Sequence, residues 1–454
     1  MNIVIIGDGK VGFALATQLD HEGHNVTVID NKASVLEKTI NSLDVVGVLG
    51  NGATPETLKE AGAQHADVVI AATSKDEINI ISCLLARKLG ARHTIARIRS
   101  PEYVGSLNMV KEELGLSLEI NPELVAAREI RRSLRFTSSI RTQSFAKTRL
   151  EIAEIKIFEN SPLAGRKVID IANMYRQSVL FCIVEREGEL LIPNGTTVIR
   201  KGDKVALTGR TKELQSFFNE LRILKNDKIK DVMIVGGGRI TYYLTSMLLD
   251  LGIDVTIIEK DGEKCLALVE KFPRVTIIHG DGTDHELLLS ENLENMDAFI
   301  ALTDNDEENV MISMFANSKG IEHVIPKVNR VELGFILEKL GLENAITPKN
   351  ITADHIVSYV RAMQNSLGSN VESLVKLKDE RIELLEFRVR DNCRFLNRPI
   401  KDVAFKPGIL IAFVTHKGEP RIATGATRVV CGDTVVVISK RKGLSDINDV
   451  LAQS

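Results

Sequence analysis

Stretches near the start of this chain return about 230 residues later. "IVIIGDGKVGFAL" from Ile3 is echoed by "VMIVGGGRITYYL" from Val232, with Gly236 standing 229 residues after Gly7. "NVTVID", ending at Asp30, matches "DVTIIE", ending at Glu259. "GNGATPETL" from Gly50 matches "GDGTDHELL" from Gly280, and "DVVIAATSKDEIN" from Asp67 matches "DAFIALTDNDEEN" from Asp297. The echo outlasts a change of character, because "IPNGTTVIRKGDKVALTG" from Ile192 aligns with "IATGATRVVCGDTVVVIS" from Ile422. One spacing held across half a chain marks a tandem duplication, with copies at about 1–225 and 229–454 and "LRILKNDKIKD" at 221–231 as the linker.

Each copy changes rhythm part-way. Apolar runs at 2–6, 25–30, 45–49, 67–72 and 93–98 alternate with helical patterns after Gly9, Ser34, Pro55 and Asp76. Such alternation predicts a parallel, doubly wound sheet. Near 150–210 and 382–440 the runs are short and broken by polar turns such as "EREGE", "RKGD", "HKGE" and "VCGD". That pattern predicts a small β-rich lobe. The expected fold is α/β, with two tandem Rossmann-like lobes at 1–133 and 229–362, followed by small β-rich lobes at 134–225 and 363–454.

The first glycine loop follows a strand and opens a helix. Gly7 suits the tight turn, Gly9 lets backbone approach a pyrophosphate, and Gly12 lets the helix pack close to the sheet. Asp8, Lys10 and Val11 complete the loop, and the helix N-terminus offers free N–H groups to phosphate. Asp30, at the end of the second strand, sits where an acid hydrogen-bonds a ribose diol and repels a 2′-phosphate. NAD(H) or an adenine nucleotide is therefore expected over NADP(H). Asn51, Gly52, Thr73, Ser74 and Arg97 follow or end the later strands, where ligands of such sheets lie. Capping of the next helix is an equal reading for Thr73 and Ser74. The second copy keeps Gly236, Gly237, Gly238, Arg239 and Ile240, but Thr241 replaces the third glycine. Glu259 replaces the ribose Asp, Asp281 stands at the "GDG" turn, Thr303 follows the fourth strand, and Lys327 replaces Arg97. A branched side chain at Thr241 is expected to disturb close helix–sheet packing, so the second pocket's ligand stays open.

Composition excludes several classes. Net charge is −3, from 58 basic and 61 acidic residues, against the basic face of a dedicated nucleic-acid binder. Trp is absent and aromatics are 4%, so stacking on bases is not expected. Cys83, Cys182, Cys265, Cys393 and Cys431 are odd in number and form no CxxC, as free thiols in a reducing compartment would be. No Cys/His cluster has metal-ligand spacing. The opening "MNIVIIG" lacks the pattern of a secretory signal. The longest apolar run, Ile409 to Val414, falls far short of the roughly 20 residues a membrane span needs.

With these motifs in hand, "GDGKVG…VID…GNGAT…AAT…DEIN…RIRS" joined to a β lobe with "PNG…GD" resembles a unit of the RCK family. RCK units are regulators of potassium conductance, also called KTN. The resemblance covers nearly the whole chain as two units in the order RCK_N–RCK_C, twice. It implies a cytoplasmic, peripheral regulatory subunit at the inner membrane, assembled as a homo-oligomer, expected to be a tetrameric ring. It implies NAD(H) and ATP/ADP as ligands and a TrkH-like membrane potassium transporter subunit as partner. Membrane association would come only through that partner, with no nucleic acid involved. Carried over residue by residue, the binding set is Gly7 to Gly12, Asp30, Asn51, Gly52, Thr73, Ser74 and Arg97. The second set is Gly236 to Ile240, Glu259, Asp281, Thr303 and Lys327, with no catalytic and no metal-binding residue.

Two other classes would need features this sequence is poor in. A nicotinamide-dependent oxidoreductase needs a proton-transfer group, most often His, yet 134–225 holds none and 363–454 only His416. A nucleotide-sensing transcription factor needs a basic DNA-binding element. The stretch 128–149 has seven basic residues and one acid, and it reads first as a solvated helix and connector, then as a contact for a membrane subunit.

Overall fold

The structure, a computed structural model, describes residues 1–103, 113–134, 140–144, 150–175, 179–221, 229–330, 334–342, 344–366, 371–377, 381–441 and 443–452. Most of the expected linker, 222–228, lies outside them. The chain forms two compact units, one of Met1–Arg131 with Ile229–Val360, the other of Arg132–Lys228 with Arg361–Ser454. Like lobes of the two copies therefore pack together.

In the first unit, lobe one runs β1 (Asn2–Ile6), α1 (Lys10–His21), β2 (Asn25–Asp30), α2 (Ala33–Ser42), β3 (Val46–Leu49), α3 (Pro55–Glu60), β4 (Val68–Ala71), α4 (Asp76–Leu89), β5 (His93–Arg97), β6 (Leu118–Ile120) and α5 (Pro122–Ser133). Its sheet has the order β3-β2-β1-β4-β5-β6, all parallel. β1 and β4 are buried along almost their whole length, as strands covered on both faces must be. The order reverses between β1 and β4, which opens a crevice at their carboxyl ends.

The corresponding β lobe holds β7 (Ile140–Ser144), β8 (Leu150–Lys156), α6 (Val168–Tyr175), β9 (Leu180–Arg186), β10 (Glu189–Leu191), β11 (Lys204–Arg210) and α7 (Thr211–Glu220). Its sheet, β10-β9-β11-β8-β7, is antiparallel. Within 128–149, α5 ends at Ser133 and residues 140–144 form β7, paired with β8, so this part is sheet edge and not connector. The flanking residues 135–139 and 145–149 lie outside the described ones.

The second copy repeats the plan with β12 (Asp231–Val235), α8 (Arg239–Leu249), β13 (Asp254–Glu259), α9 (Gly262–Lys271), β14 (Thr276–His279), α10 (His285–Ser290), β15 (Ala298–Ala301), α11 (Asp306–Ser318), β16 (His323–Pro326), α12 (Gly334–Lys339) and α13 (Pro348–Ser366). Its parallel sheet is β14-β13-β12-β15-β16. Its β lobe has β17 (Val371–Leu377), β18 (Ile382–Arg388), β19 (Ile409–His416), β20 (Glu419–Ile422) and β21 (Thr434–Ser439), in the order β17-β18-β21-β19-β20.

The two β lobes share one apolar core. Ile152, Cys182, Ile183 and Ala206 pack in a single cluster with Leu384, Ala412, Phe413 and Val436. Its rim is stitched by side chain to backbone, Arg210 to the Pro420 carbonyl at 2.8 Å and Lys440 to the Leu190 carbonyl at 2.7 Å. Within the first unit, Gln18 of α1 donates to Asp354 of α13 at 2.9 Å.

All five cysteines are free; four are buried and Cys431 is exposed. Burial pushes the thiols of Cys83 and Cys182 up to about 12, and a thiol reacts as thiolate. Titration of the native chain with a disulfide reagent should modify one thiol readily, lost in Cys431→Ser, and the other four only after denaturant is added.

Candidate functional site

The first pocket is built where β1 turns into α1. Gly7 has a φ of +94°, and a Cβ there would come within 2.9 Å of the Thr73 backbone. A Cβ on Gly12 would lie 1.9 Å from the Gly7 carbonyl oxygen. Only glycine lets the loop and helix approach this closely without a shift. Gly9 differs, since a Cβ there meets nothing within 4 Å. It is the N-cap of α1, which no side chain caps. Lys10 is exposed and Val11 buried beside it.

Asp30 stands at the end of β2. Its carboxylate accepts from the Asp8 N–H at 2.7 Å and the Lys32 N–H at 2.9 Å. A carboxylate has about four acceptor positions, so capacity remains for a diol. Asn51 turns the chain after β3 by accepting the Ala53 N–H, while Gly52 packs on Ile6. Ser74 is exposed. Arg97 ends β5 half-buried, with its Nε sealed from solvent and without a partner. Burial, then the Arg99 guanidinium, and more weakly Arg239 from the second copy, lower its proton affinity.

Thr73 does not cap α4, whose N-cap is Lys75. Its N–H and hydroxyl both donate to Oδ1 of Asn79, at 2.8 and 2.7 Å. The amide of Asn79 donates in turn to the carbonyls of Thr73 and Arg97, at 3.2 and 2.7 Å. Asn79 is fully buried and clamps the ends of β4 and β5. Sequence reasoning did not single it out. The signal was present, because "DEIN" and "DEEN" place an Asn in both copies. Asn309 repeats the backbone bonds, accepting the Thr303 N–H and donating to the Thr303 and Lys327 carbonyls.

The second pocket has the same plan with compensated differences. Gly236 has a φ of +101°, Gly238 has open space beside it, and Arg239 starts α8 exposed, followed by buried Ile240. Glu259 accepts the Gly237 N–H at 2.5 Å and the Asp261 N–H at 2.8 Å, repeating the bonds of Asp30. Its longer side chain fits because position 237 is glycine; a Cβ there would lie 3.1 Å from Glu259 Cγ. Asp281 accepts from the N–H and hydroxyl of Thr283. The expected disturbance at Thr241 does not arise, for the residue is fully buried and its hydroxyl donates to the Gly236 carbonyl. Lys327 is buried and pairs with Asp304 at 3.3 Å.

Asp8 is the odd group. It is 3% exposed, and both carboxyl oxygens are shut away from solvent. Burial raises its pKa to about 6; the Thr39 hydroxyl opposes the rise and the Asp30 carboxylate adds to it.

Comparison with known proteins follows the same division of the chain. The TrkA-N domain family matches residues 3–121 and 232–348, and the TrkA-C domain family matches 152–222 and 384–452. The chain belongs to the TrkA family. It is similar to the Trk system potassium uptake protein TrkA homolog of Archaeoglobus fulgidus, at 31% identity over 99% of this chain and 100% of that protein. It is 32% identical to the Trk system potassium uptake protein TrkA of Halomonas elongata, over 97% of each chain. The GsuK channel bound to NAD shares the fold, with a TM-score of 0.64, 16% identity, and coverage of 96% of this chain and 76% of that one. No described helix of this TrkA-family chain is long and apolar enough to cross a membrane.

The position of Asp8 gives a pH dependence. Its folded pKa lies above the unfolded value of 3.8. The neutral acid is thus favoured on folding, and the stability it permits is present below pH 4 and lost as pH rises through 6. Asp8→Asn should therefore stabilise the ligand-free chain at pH 7.5 by on the order of 3 kcal/mol and leave it nearly unchanged at pH 4. Urea denaturation at the two pH values measures the difference, and an equal gain at both would remove ionisation as its cause.

Proposed function

We propose that this TrkA-family chain is a regulatory subunit that binds NAD(H) and ATP/ADP in its glycine-loop pockets and gates a membrane potassium transporter by changing shape. The observation that carries the reading is the open space at Gly9, at the start of a helix that no side chain caps, with the Asp30 carboxylate bonded to the N–H of the same loop at Asp8. A pyrophosphate finds there the donors and positive end of α1, Arg97 supplies a cation at the end of β5, and Asp30 accepts a ribose diol. The second set, Gly236 to Ile240 with Glu259, Asp281, Thr303 and Lys327, is proposed as a second nucleotide pocket. The relatives' names as potassium uptake proteins supply the transported ion, and a TrkH-like membrane subunit is the proposed partner. The chain is proposed to work at the cytoplasmic face as a homo-oligomeric ring, expected to be tetrameric, held to the membrane by that partner.

Action by binding, without turnover, suits the geometry of the first pocket. His24, His65 and His93 of the first lobe lie at the amino ends of β2, β4 and β5, opposite the pocket. A ligand then acts only through its different affinity for two conformations.

Two expectations follow. Asp30→Ala should weaken NADH and ADP binding by about 1.5–3 kcal/mol, the worth of a hydrogen bond to a charged acceptor, read by calorimetry. Gly9→Val should fold, because its side chain enters open space, yet abolish the NADH response of potassium flux through the reconstituted transporter. Steady NADH consumption dependent on a small organic substrate would overturn the sensor reading, as would a flux indifferent to every nucleotide.

A further inference from the structure

The two pockets are joined by a buried hydroxyl. Tyr243 lies one turn into α8, the helix that the second glycine loop opens. Its side chain enters the first lobe, where the Asn121 amide donates to its hydroxyl at 2.9 Å and the hydroxyl donates to the Arg99 carbonyl at 3.1 Å. Tyr243 is 7% exposed and Asn121 9%. A buried hydroxyl satisfied in this way resists displacement, since an unpaired partner is expensive.

Arg99 is fixed from its own lobe as well. Its N–H donates to Asp76 at 2.8 Å and its Nε to Glu123 at 2.8 Å. Two residues earlier stands Arg97, whose carbonyl is held by Asn79. A short covalent and hydrogen-bonded path therefore runs from Ile240, at the phosphate end of the second pocket, through Tyr243 and Arg99 to Arg97 in the first.

The duplication shows that this link is not a by-product of the fold. The position equivalent to Tyr243 in the first copy is Ala14, and that of Asn121 in the second copy is Thr347. The backbone on which the contact lands is otherwise repeated, because the Asn329 N–H donates to Asp306 at 2.8 Å as Arg99 does to Asp76. The phenol bridge thus joins the second copy's loop helix to the first copy's strand end, and Ala14 offers no counterpart in the other direction.

We propose that Tyr243 is a positioning residue that couples the two nucleotide pockets, so that occupancy of the second pocket sets the position of Arg97 and hence the affinity of the first. The inference rests on the nucleotide reading above. Coupling of this kind is reciprocal in binding free energy, so filling the first pocket acts on the second by the same factor.

The test is a double-mutant cycle on the full-length chain, with NADH as the probe. First-pocket affinity is measured in wild type, in Gly238→Val, which blocks the second pocket, in Tyr243→Phe, and in the double variant; Gly9→Val identifies which binding step is the first pocket's. Blocking the second pocket should shift first-pocket affinity about five-fold or more in wild type, and less than two-fold when Tyr243→Phe is present. Asn121→Ser, which keeps an acceptor to cap α5 but loses the amide donor, should reproduce the loss if Tyr243→Phe folds poorly. An undiminished shift in both backgrounds, or none in wild type, would overturn the coupling. Absence of any NADH binding by wild type would instead overturn the nucleotide reading and the coupling with it.

Discussion

A polar side chain buried in the first turn of a helix must have its hydrogen bonds made, and Asn79 and Asn309 impose that demand on everything around them. An amide shut away from water costs about 1–3 kcal/mol for each group left unmet. Meeting it requires the segment after β4 to turn back so that Thr73 presents its N–H, hydroxyl and carbonyl together. It also requires the end of β5 to lie beside that turn. Once those two strand ends are fixed, the Gly7 turn has a wall to pack against, and Arg97 has a set position. The crevice is shaped by a residue that does not line it.

The two copies show how such a crevice tolerates change. Substitutions occur in compensating sets. Where the acid at the end of the second strand lengthens from Asp30 to Glu259, the loop residue shrinks from Asp8 to Gly237 and the backbone bonds are kept. Where Gly12 becomes Thr241, the added hydroxyl finds the Gly236 carbonyl. In the β lobes, Arg186 forks onto Asp203 at 2.8 and 2.7 Å, and the second copy places His416 on Asp433 at 2.7 Å. Each pair holds a buried Asp at a hairpin base, so the role is preserved while the chemistry drifts.

Much of this was legible in the sequence because it is local or periodic. The runs at 2–6 and 25–30 are β1 and β2 to the residue, since both are rich in β-branched apolar residues and end at a turn or an acid. The glycine loops and the change from alternating to β-rich segments were legible for the same reason. What escaped depends on partners distant in the chain. β6 is three residues long and is defined by pairing with β5. β7 hides in a basic stretch and exists through β8. Thr241 looked disruptive because its acceptor, a backbone carbonyl, carries no signature in the sequence. Tyr243 carried no signal in the sequence, because its partners belong to the other copy.

The apolar seam between the β lobes has a consequence for how such a chain could have arisen. Ile152 and Leu384 occupy matching positions on β8 and β18 and meet in one core, the arrangement expected if two identical chains once paired about a two-fold axis. Joining them in one polypeptide replaces a concentration-dependent encounter with a tethered one. The halves are then always made in equal number and always meet. Freed from having to recognise its own twin, each half can lose symmetry, and residues such as Tyr243 can appear on one side alone.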